Sequence, residues 1–246
     1  MKVLIEWPSP PSNLSIDAGA VHVWAWNYEC SIDTLNRYMA LLSADERSRM
    51  QRFRFEKDRV RFSVSHAILR ILLGRYLCVR PSSISFGQNG FGKPSLAQVW
   101  AVSGLTFNLS HTNHIALLAV AIDLAIGVDT EEVRPIECGT VERYFSDQER
   151  SSLATLKGSD WLEGFYNCWT RKEAILKAEG LGLNMRQDAF DVSLSPNVKA
   201  AVLEVRANAG LTSEWHLVEL RPAFGFVGAL AINVVPSSVA CYCFSS

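Results

Sequence analysis

The chain has 246 residues, with 24 Lys and Arg against 25 Asp and Glu and a formal net charge of −1. A hydrophobic share of 48% with 20% charged residues is that of a globular chain able to bury one sizeable core or two small ones, which excludes extensive disorder. The near-neutral balance excludes a global attraction to nucleic acid or an anionic membrane, so an acidic partner has to be met by a local basic patch. Met1 to Trp7 lacks a basic segment followed by a long apolar one, and the longest apolar run, Ile115 to Ile122, falls short of the roughly 20 residues a membrane helix needs. The cytoplasm is the expected location. Cys30, Cys78, Cys138, Cys168, Cys241 and Cys243 form no C-x-x-C pair, which speaks against zinc and a redox couple.

In chain order, Val21 to Trp26 alternates like a strand. Ser43-Ala44-Asp45-Glu46 is a capping box opening a helix. The stretch from Arg47 to Arg61 holds Arg49, Arg52, Arg54, Lys57 and Arg59 against only Glu56 and Asp58. It reads equally as a solvated helix face or as a basic patch. Ala67-Ile68-Leu69-Arg70 falls on a helix. Gly90-Phe91-Gly92-Lys93-Pro94 is either a plain turn or a loop whose amides approach a phosphate. Leu105 to Asn108 and Ile115 to Ile122 form a β pair, with Ser110-His111 at the strand end. Neighbours on an extended chain point opposite ways, so a Ser-His nucleophilic dyad is disfavoured. His22, His66, His114 and His216 stand singly and read as structural.

Ile126 to Glu131 reads as a strand, where a period of two places Asp129 and Glu131 on one face. Ser146-Asp147-Gln148-Glu149 is a second capping box, which accounts for Glu149 without catalysis. The following helix has Phe165, Cys168, Trp169, Ile175 and Leu176 on its apolar face, and Lys172 falls in the middle of it, where it needs an anionic partner. Glu173 and Lys177 lie one turn apart on the flank. Trp215 to Leu220 and Phe226 to Asn233 complete a second β pair. Strand, capping box, helix and β pair thus occur twice, a little over one hundred residues apart. The expectation is an α+β protein of two pseudo-symmetric lobes, 1–125 and 126–246, with a cleft between them and Arg70 equivalent to Lys177.

Asp129, Glu131 and Glu173 offer three carboxylates with no metal-spaced Cys or His pair. Such a set suits a hard, oxygen-preferring cation such as Mg²⁺, and nearby lysines suit the phosphates that ion usually holds, so a diphosphate substrate is expected. An ordinary Glu-Lys surface pair is the bland reading of Glu173 and Lys177.

Gly92-Lys93-Pro94, Asn108-x-Ser110-His111, Gly127-x-Asp129-x-Glu131 and Trp169-x-x-Lys172-Glu173-Ala174-x-x-Lys177, in this order and spacing, resemble the signature of the Sfp-type 4′-phosphopantetheinyl transferases over nearly the full chain. The resemblance implies transfer of the phosphopantetheinyl arm of coenzyme A to a serine of an apo acyl, peptidyl or polyketide carrier protein, in fatty-acid, polyketide or nonribosomal-peptide assembly. It implies Mg²⁺ held by Asp129, Glu131 and Glu173, catalysis by Glu173, Lys177 and Asp129, and Lys172 close to the diphosphate that Lys177 contacts. Lys93, Ser110 and His111 would bind other phosphate oxygens of coenzyme A, Pro94 would belong to the same binding surface, and Lys57, Arg61, Arg70 and His111 would bind the 3′-phosphate. It further implies a monomer, a carrier contact near Cys138 to Phe145, and Glu173 as base, with a water held by Glu149 as the alternative. Rival readings are a Mg²⁺-dependent nucleotide phosphohydrolase and a non-catalytic coenzyme A or carrier-binding module.

Overall fold

A computed structural model describes residues 7–137, 139–181, 186–206, 211 and 214–245. The first half runs β1 (Ala20–Asn27), α1 (Ile32–Leu41), α2 (Ala44–Gln51), α3 (Glu56–Leu77), β2 (Phe86–Gln88), β3 (Pro94–Leu96), β4 (Leu105–His111) and β5 (Ile115–Ile122). The second runs β6 (Ile126–Glu132), α4 (Thr140–Tyr144), α5 (Asp147–Ala154), α6 (Gly158–Glu179), β7 (Phe190–Val192), β8 (Val202–Val205), β9 (His216–Leu220), β10 (Phe226–Ile232) and β11 (Ser238–Cys243). One sheet has the order β11-β1-β5-β4 and the other β6-β10-β9, so β1, β5 and β4 stand to each other as β6, β10 and β9 do. The architecture is α+β, as expected.

The period-two alternation of the strands builds the layers. Trp24, Trp26, Ala116, Leu118 and Val120 face α3, while Val21, Val23, Ala25, Leu117, Ala119 and Ala121 meet Ile126, Val128, Leu230 and Ile232 between the sheets. Val227, Ala229 and Ala231 turn the other way, onto α6. The order across the molecule is therefore helix, sheet, sheet, helix. Strands buried on both faces need apolar residues at every position, which is why Ile115 to Ala121 is an unbroken apolar run.

One feature departs from a strict division at residue 125. β11, at the end of the chain, returns to pair in parallel with β1, from Ala20 with Ser238 to Ala25 with Cys243, and closes that edge of the first sheet. The β2–β3 and β7–β8 hairpins occupy matching places in the two halves, each between the long helix and the β pair that follows it.

The two central helices are each 22 residues long, and both capping boxes form, at Ser43 with Glu46 and Ser146 with Glu149. The fifteenth residue of α3 is Arg70 and that of α6 is Lys172. Each reaches the capping-box glutamate of its own half: Arg70 lies 2.8 Å from Glu46 and Lys172 2.9 Å from Glu149. The repeat thus pairs Arg70 with Lys172, and the expected equivalence of Arg70 with Lys177 is corrected. The signal missed was the carboxylate partner upstream, which the Ala-Ile-Leu match obscured.

Candidate active site at the seam of the two sheets

β4 and β6 are edge strands of different sheets, and they run beside each other where the halves meet. Their contact uses side chains: Asn108 Oδ1 accepts from the Val128 amide at 2.8 Å, and Ser110 Oγ donates to Asp129 Oδ1 at 2.9 Å. On its other side β6 lies close against α6, because Gly127 has no side chain. A Cβ there would stand 2.0 Å from the Ala174 carbonyl oxygen and 2.4 Å from the Ala178 nitrogen. This approach puts Asp129, two residues on and on the same face, against Lys177.

Asp129 is buried, and its Oδ1 accepts from Lys177 Nζ at 2.6 Å as well as from Ser110. Its Oδ2 is buried with no hydrogen-bond partner among the described residues. Glu173 accepts at 2.5 Å from Gln187 Nε2. Burial pushes the Glu131 carboxyl up to about 7, helped by repulsion from Asp129 and Glu173. Glu173 is raised for the same two reasons, desolvation first and Asp129 second. Asp129, with an orphaned buried oxygen, stands beside two carboxylates of raised proton affinity, and oxygen donors of this kind are those a hard dication takes. Among the described residues no group of three or more Asp, Glu, His or Cys is placed to hold a metal ion by itself.

Two cavities meet here, with Leu109 on the wall of both. One, of about 420 Å³, is lined by Arg49, Arg61, His66 and His111 from the first half and by Glu131 and Arg134 from the second. His111 titrates below an ordinary histidine, first because it is partly desolvated and then because of the Lys177 ammonium. The other, of about 610 Å³, is lined by Phe91, Pro94, Tyr144, Glu173, Leu176 and Lys177 among others. Glu131 lies on the wall of the first chamber, where arginines and histidines stand with Asp58 and Glu132, and Glu173 on the wall of the second, which exposes more apolar surface alongside Lys93, Arg143 and Arg186.

The expected site residues divide accordingly. Asp129, Glu131, Glu173, Lys177 and Ser110 come together, and Arg61, His111 and Pro94 lie on cavity walls. Arg70, Lys172 and Lys57 line neither cavity, and Lys93 borders the second with its ammonium turned to carbonyls. Arg70 is 1% exposed and spends its guanidinium on Glu46 and the carbonyls of Pro81 and Ile84, at 3.1 and 2.7 Å. Lys172 is also 1% exposed; beyond Glu149 it donates to the carbonyls of Gln187 and Phe190 at 2.5 and 2.6 Å. Lys93 donates to Ile126 and Ala178 carbonyls at 3.1 and 2.8 Å, so it satisfies the C-terminus of α6, and desolvation lowers it to about 8. Lys57 is exposed in the first turn of α3, its ammonium 5.6 Å from the Phe55 ring. Glu149 is equally spent, accepting from the Ser146 and Val192 amides at 3.0 and 2.9 Å besides Lys172, and it is not placed to hold a catalytic water. Ser110 is buried on neither cavity wall.

Two residues were missed or misread from sequence. Arg49 lies on the wall of the first chamber, though nothing in the arginine run distinguishes it from its neighbours. His66, read as structural, stacks on Phe62, hydrogen-bonds Glu46 at 2.9 Å and also faces that chamber. Within the expected carrier contact, Cys138 lies outside the described residues, Tyr144 borders the second cavity and Phe145 is buried.

Known proteins resemble this chain in sequence. The 4′-phosphopantetheinyl transferase superfamily matches residues 125–235, and the N-terminal region of a 4′-phosphopantetheinyl transferase matches residues 25–123. The chain is 36% identical over 228 residues to the 4′-phosphopantetheinyl transferase HetI of Nostoc sp. (strain PCC 7120), covering 92% of this chain and 93% of that relative. The chain belongs to the 4′-phosphopantetheinyl transferase family. Within that family, Sfp of Bacillus subtilis (strain 168) is 28% identical over 166 residues, covering 68% of this chain and 72% of Sfp. A solved holo-[acyl-carrier-protein] synthase of Thermotoga maritima aligns with a TM-score of 0.35 at 25% identity, over 44% of this chain and 62% of that protein. Asp129, Glu131, Glu173 and Lys177 lie inside the superfamily match, whereas Arg49, Arg61 and His111 lie inside the N-terminal one.

Proposed function

We propose that this transferase moves the 4′-phosphopantetheinyl group of coenzyme A to a serine hydroxyl of an apo carrier protein, with Mg²⁺ bound by Asp129, Glu131 and Glu173. The observation that carries the reading is the orphaned Asp129 Oδ2 beside Glu131 and Glu173, which stand on the walls of the first and second chambers. Mg²⁺ would supply charge neutralisation of the diphosphate and of the leaving phosphate. Arg49, Arg61 and His111 bind the 3′-phosphate end, and the chamber bordered by Pro94, Tyr144 and Leu176 takes the pantetheine end.

The bond from the serine Oγ to the β-phosphorus forms as the bond from that phosphorus to the bridging oxygen breaks, and adenosine 3′,5′-bisphosphate leaves. Positioning and charge neutralisation do most of this work, and Lys177, on the cavity wall, supplies a permanent positive charge. The serine proton passes to Glu173. Both halves of one chain contribute walls to the site, which suits a monomer, and the Arg-rich face around α2 suits an acidic carrier of fatty-acid, polyketide or nonribosomal-peptide assembly. No described helix is long and apolar enough to cross a membrane, in keeping with action on a cytoplasmic carrier.

The test incubates the protein with coenzyme A, Mg²⁺ and an apo carrier, and follows the carrier by mass spectrometry for a gain of one phosphopantetheine. Glu173→Gln should lose that gain while keeping the native circular dichroism spectrum. Undiminished transfer by this variant, or phosphate release from free nucleotides without carrier modification, would overturn the proposal.

A further inference from the structure

Asn108 and Ser110 sit one residue apart on β4, so they share a face, and both are buried toward the second half of the molecule. Asn108 fixes the Val128 amide and Ser110 fixes the next residue, Asp129. Leu109 and His111, of opposite parity, stand on the cavity walls; Asn108 also borders the second cavity, whereas Ser110 borders neither. A single strand therefore holds a carboxylate of the other half through Ser110 while Leu109 and His111 line the cavities.

The hydroxyl of Ser110 has one hydrogen. Lys177 Nζ, 2.9 Å away, can only donate, so Ser110 Oγ accepts from it and its own hydrogen is left for Asp129 Oδ1. Asp129 Oδ1 takes a second hydrogen bond from Lys177 at 2.6 Å. With Oδ1 doubly held, rotation of the carboxylate is blocked and the buried, unpartnered Oδ2 has a fixed direction.

We propose that Ser110 is a positioning residue that orients Asp129 toward the divalent ion, and is not a phosphate ligand. The inference rests on the reading that the enzyme takes a divalent ion with coenzyme A. Its observational basis is separate: the Ser110 hydroxyl is spent within the Ser110–Asp129–Lys177 ring, and Ser110 lines neither the first nor the second chamber. Groups that hydrogen-bond a metal ligand typically govern metal affinity by about 10–100-fold.

Mn²⁺ serves as the probe, its free and bound forms counted by electron paramagnetic resonance in the presence of coenzyme A and without carrier. Ser110→Ala should weaken Mn²⁺ binding by about 10–100-fold and leave metal-free binding of coenzyme A unchanged. Ser110→Thr keeps the hydroxyl and should bind Mn²⁺ close to wild type; thermal unfolding of both variants checks that they are folded. Wild-type Mn²⁺ affinity in Ser110→Ala overturns the proposal. So does a loss of affinity for coenzyme A that vanishes with 3′-dephospho-coenzyme A, since that marks a phosphate ligand. Asp129→Asn and Glu173→Gln separate the two levels: if both lose Mn²⁺ while Ser110→Ala does not, only the positioning role falls, and if neither loses it, the metal reading falls.

Discussion

Lys172→Met separates a structural cation from a phosphate-binding one. Lys172 and Glu149 are each 1% exposed and lie 2.9 Å apart, and the lysine also donates to the carbonyls of Gln187 and Phe190. Methionine keeps most of the side-chain volume over the Phe190 ring but removes the charge and the donors. Breaking one partner of a buried pair costs about 3–5 kcal/mol, because the other charge stays buried without compensation. In a chain of this length each kcal/mol lowers Tm by about 2–4 °C, so a drop of roughly 6–20 °C is expected. The loss should depend on pH. A lone buried Glu149 would have a folded pKa above the ordinary value of about 4.3. The folded state would then bind more protons than the unfolded one, and stability would fall as pH rises. The deficit should be smallest near pH 4 and grow toward neutrality, and adding Glu149→Gln should recover part of it. Thermal unfolding by circular dichroism over this pH range reads the effect, alongside coenzyme A affinity measured below the transition. An unchanged Tm with weakened coenzyme A binding would refute the strut and return Lys172 to the diphosphate.

Arg49→Ala and Arg61→Ala should each raise KM for coenzyme A by roughly tenfold or more, the loss of a hydrogen bond to a charged group, and should affect 3′-dephospho-coenzyme A far less; equal losses for both would remove these residues from the 3′-phosphate. Gly127→Ala forces a Cβ into the backbone of α6 and should cost about 3 kcal/mol or more, read by denaturant unfolding; wild-type stability would mean that β6 and α6 are not in contact as described. Burial alone would raise the Glu46 carboxyl, but hydrogen bonds from His66, Arg70 and the Ser43 amide overcome it and hold it at about 2. A lowered folded pKa gives stability that is present above about pH 4.3 and is lost as pH falls through about 2. Glu46→Gln should flatten the stability profile below pH 5, and an unaltered acid limb would sink this account.

The site carboxylates were legible because strand and helix periods are local properties. Asp129 and Glu131 share a face of β6 whatever packs against it, and Glu173 and Lys177 share a flank of α6. Both capping boxes and both β pairs were readable for the same reason, since each satisfies amides within a few residues or alternates over a short run. The need of Lys172 for an anion was also visible, but not that Glu149 supplies it.

What a cation is spent on is a long-range matter. Arg70, Lys172 and Lys93 carry the same charge in the sequence as Arg61 and Lys177, yet the first three are spent on carbonyls and glutamates away from the carboxylate site, whereas Lys177 meets Asp129 and Ser110 and Arg61 meets Asp58 and Asn113 on a cavity wall. The same holds for Ser110, which the linear order places beside His111 and the packing of β4 on β6 places on Asp129. The pairing of β11 with β1 joins the two ends of the chain, and no local pattern encodes it. By itself the sequence determined element types, the twofold plan and the chemical character of the site, because these follow from backbone period and side-chain type. Only the tertiary structure decided which polar groups remain free for a ligand, because every buried donor and acceptor must first find a partner, and that partner is set by what packs against it.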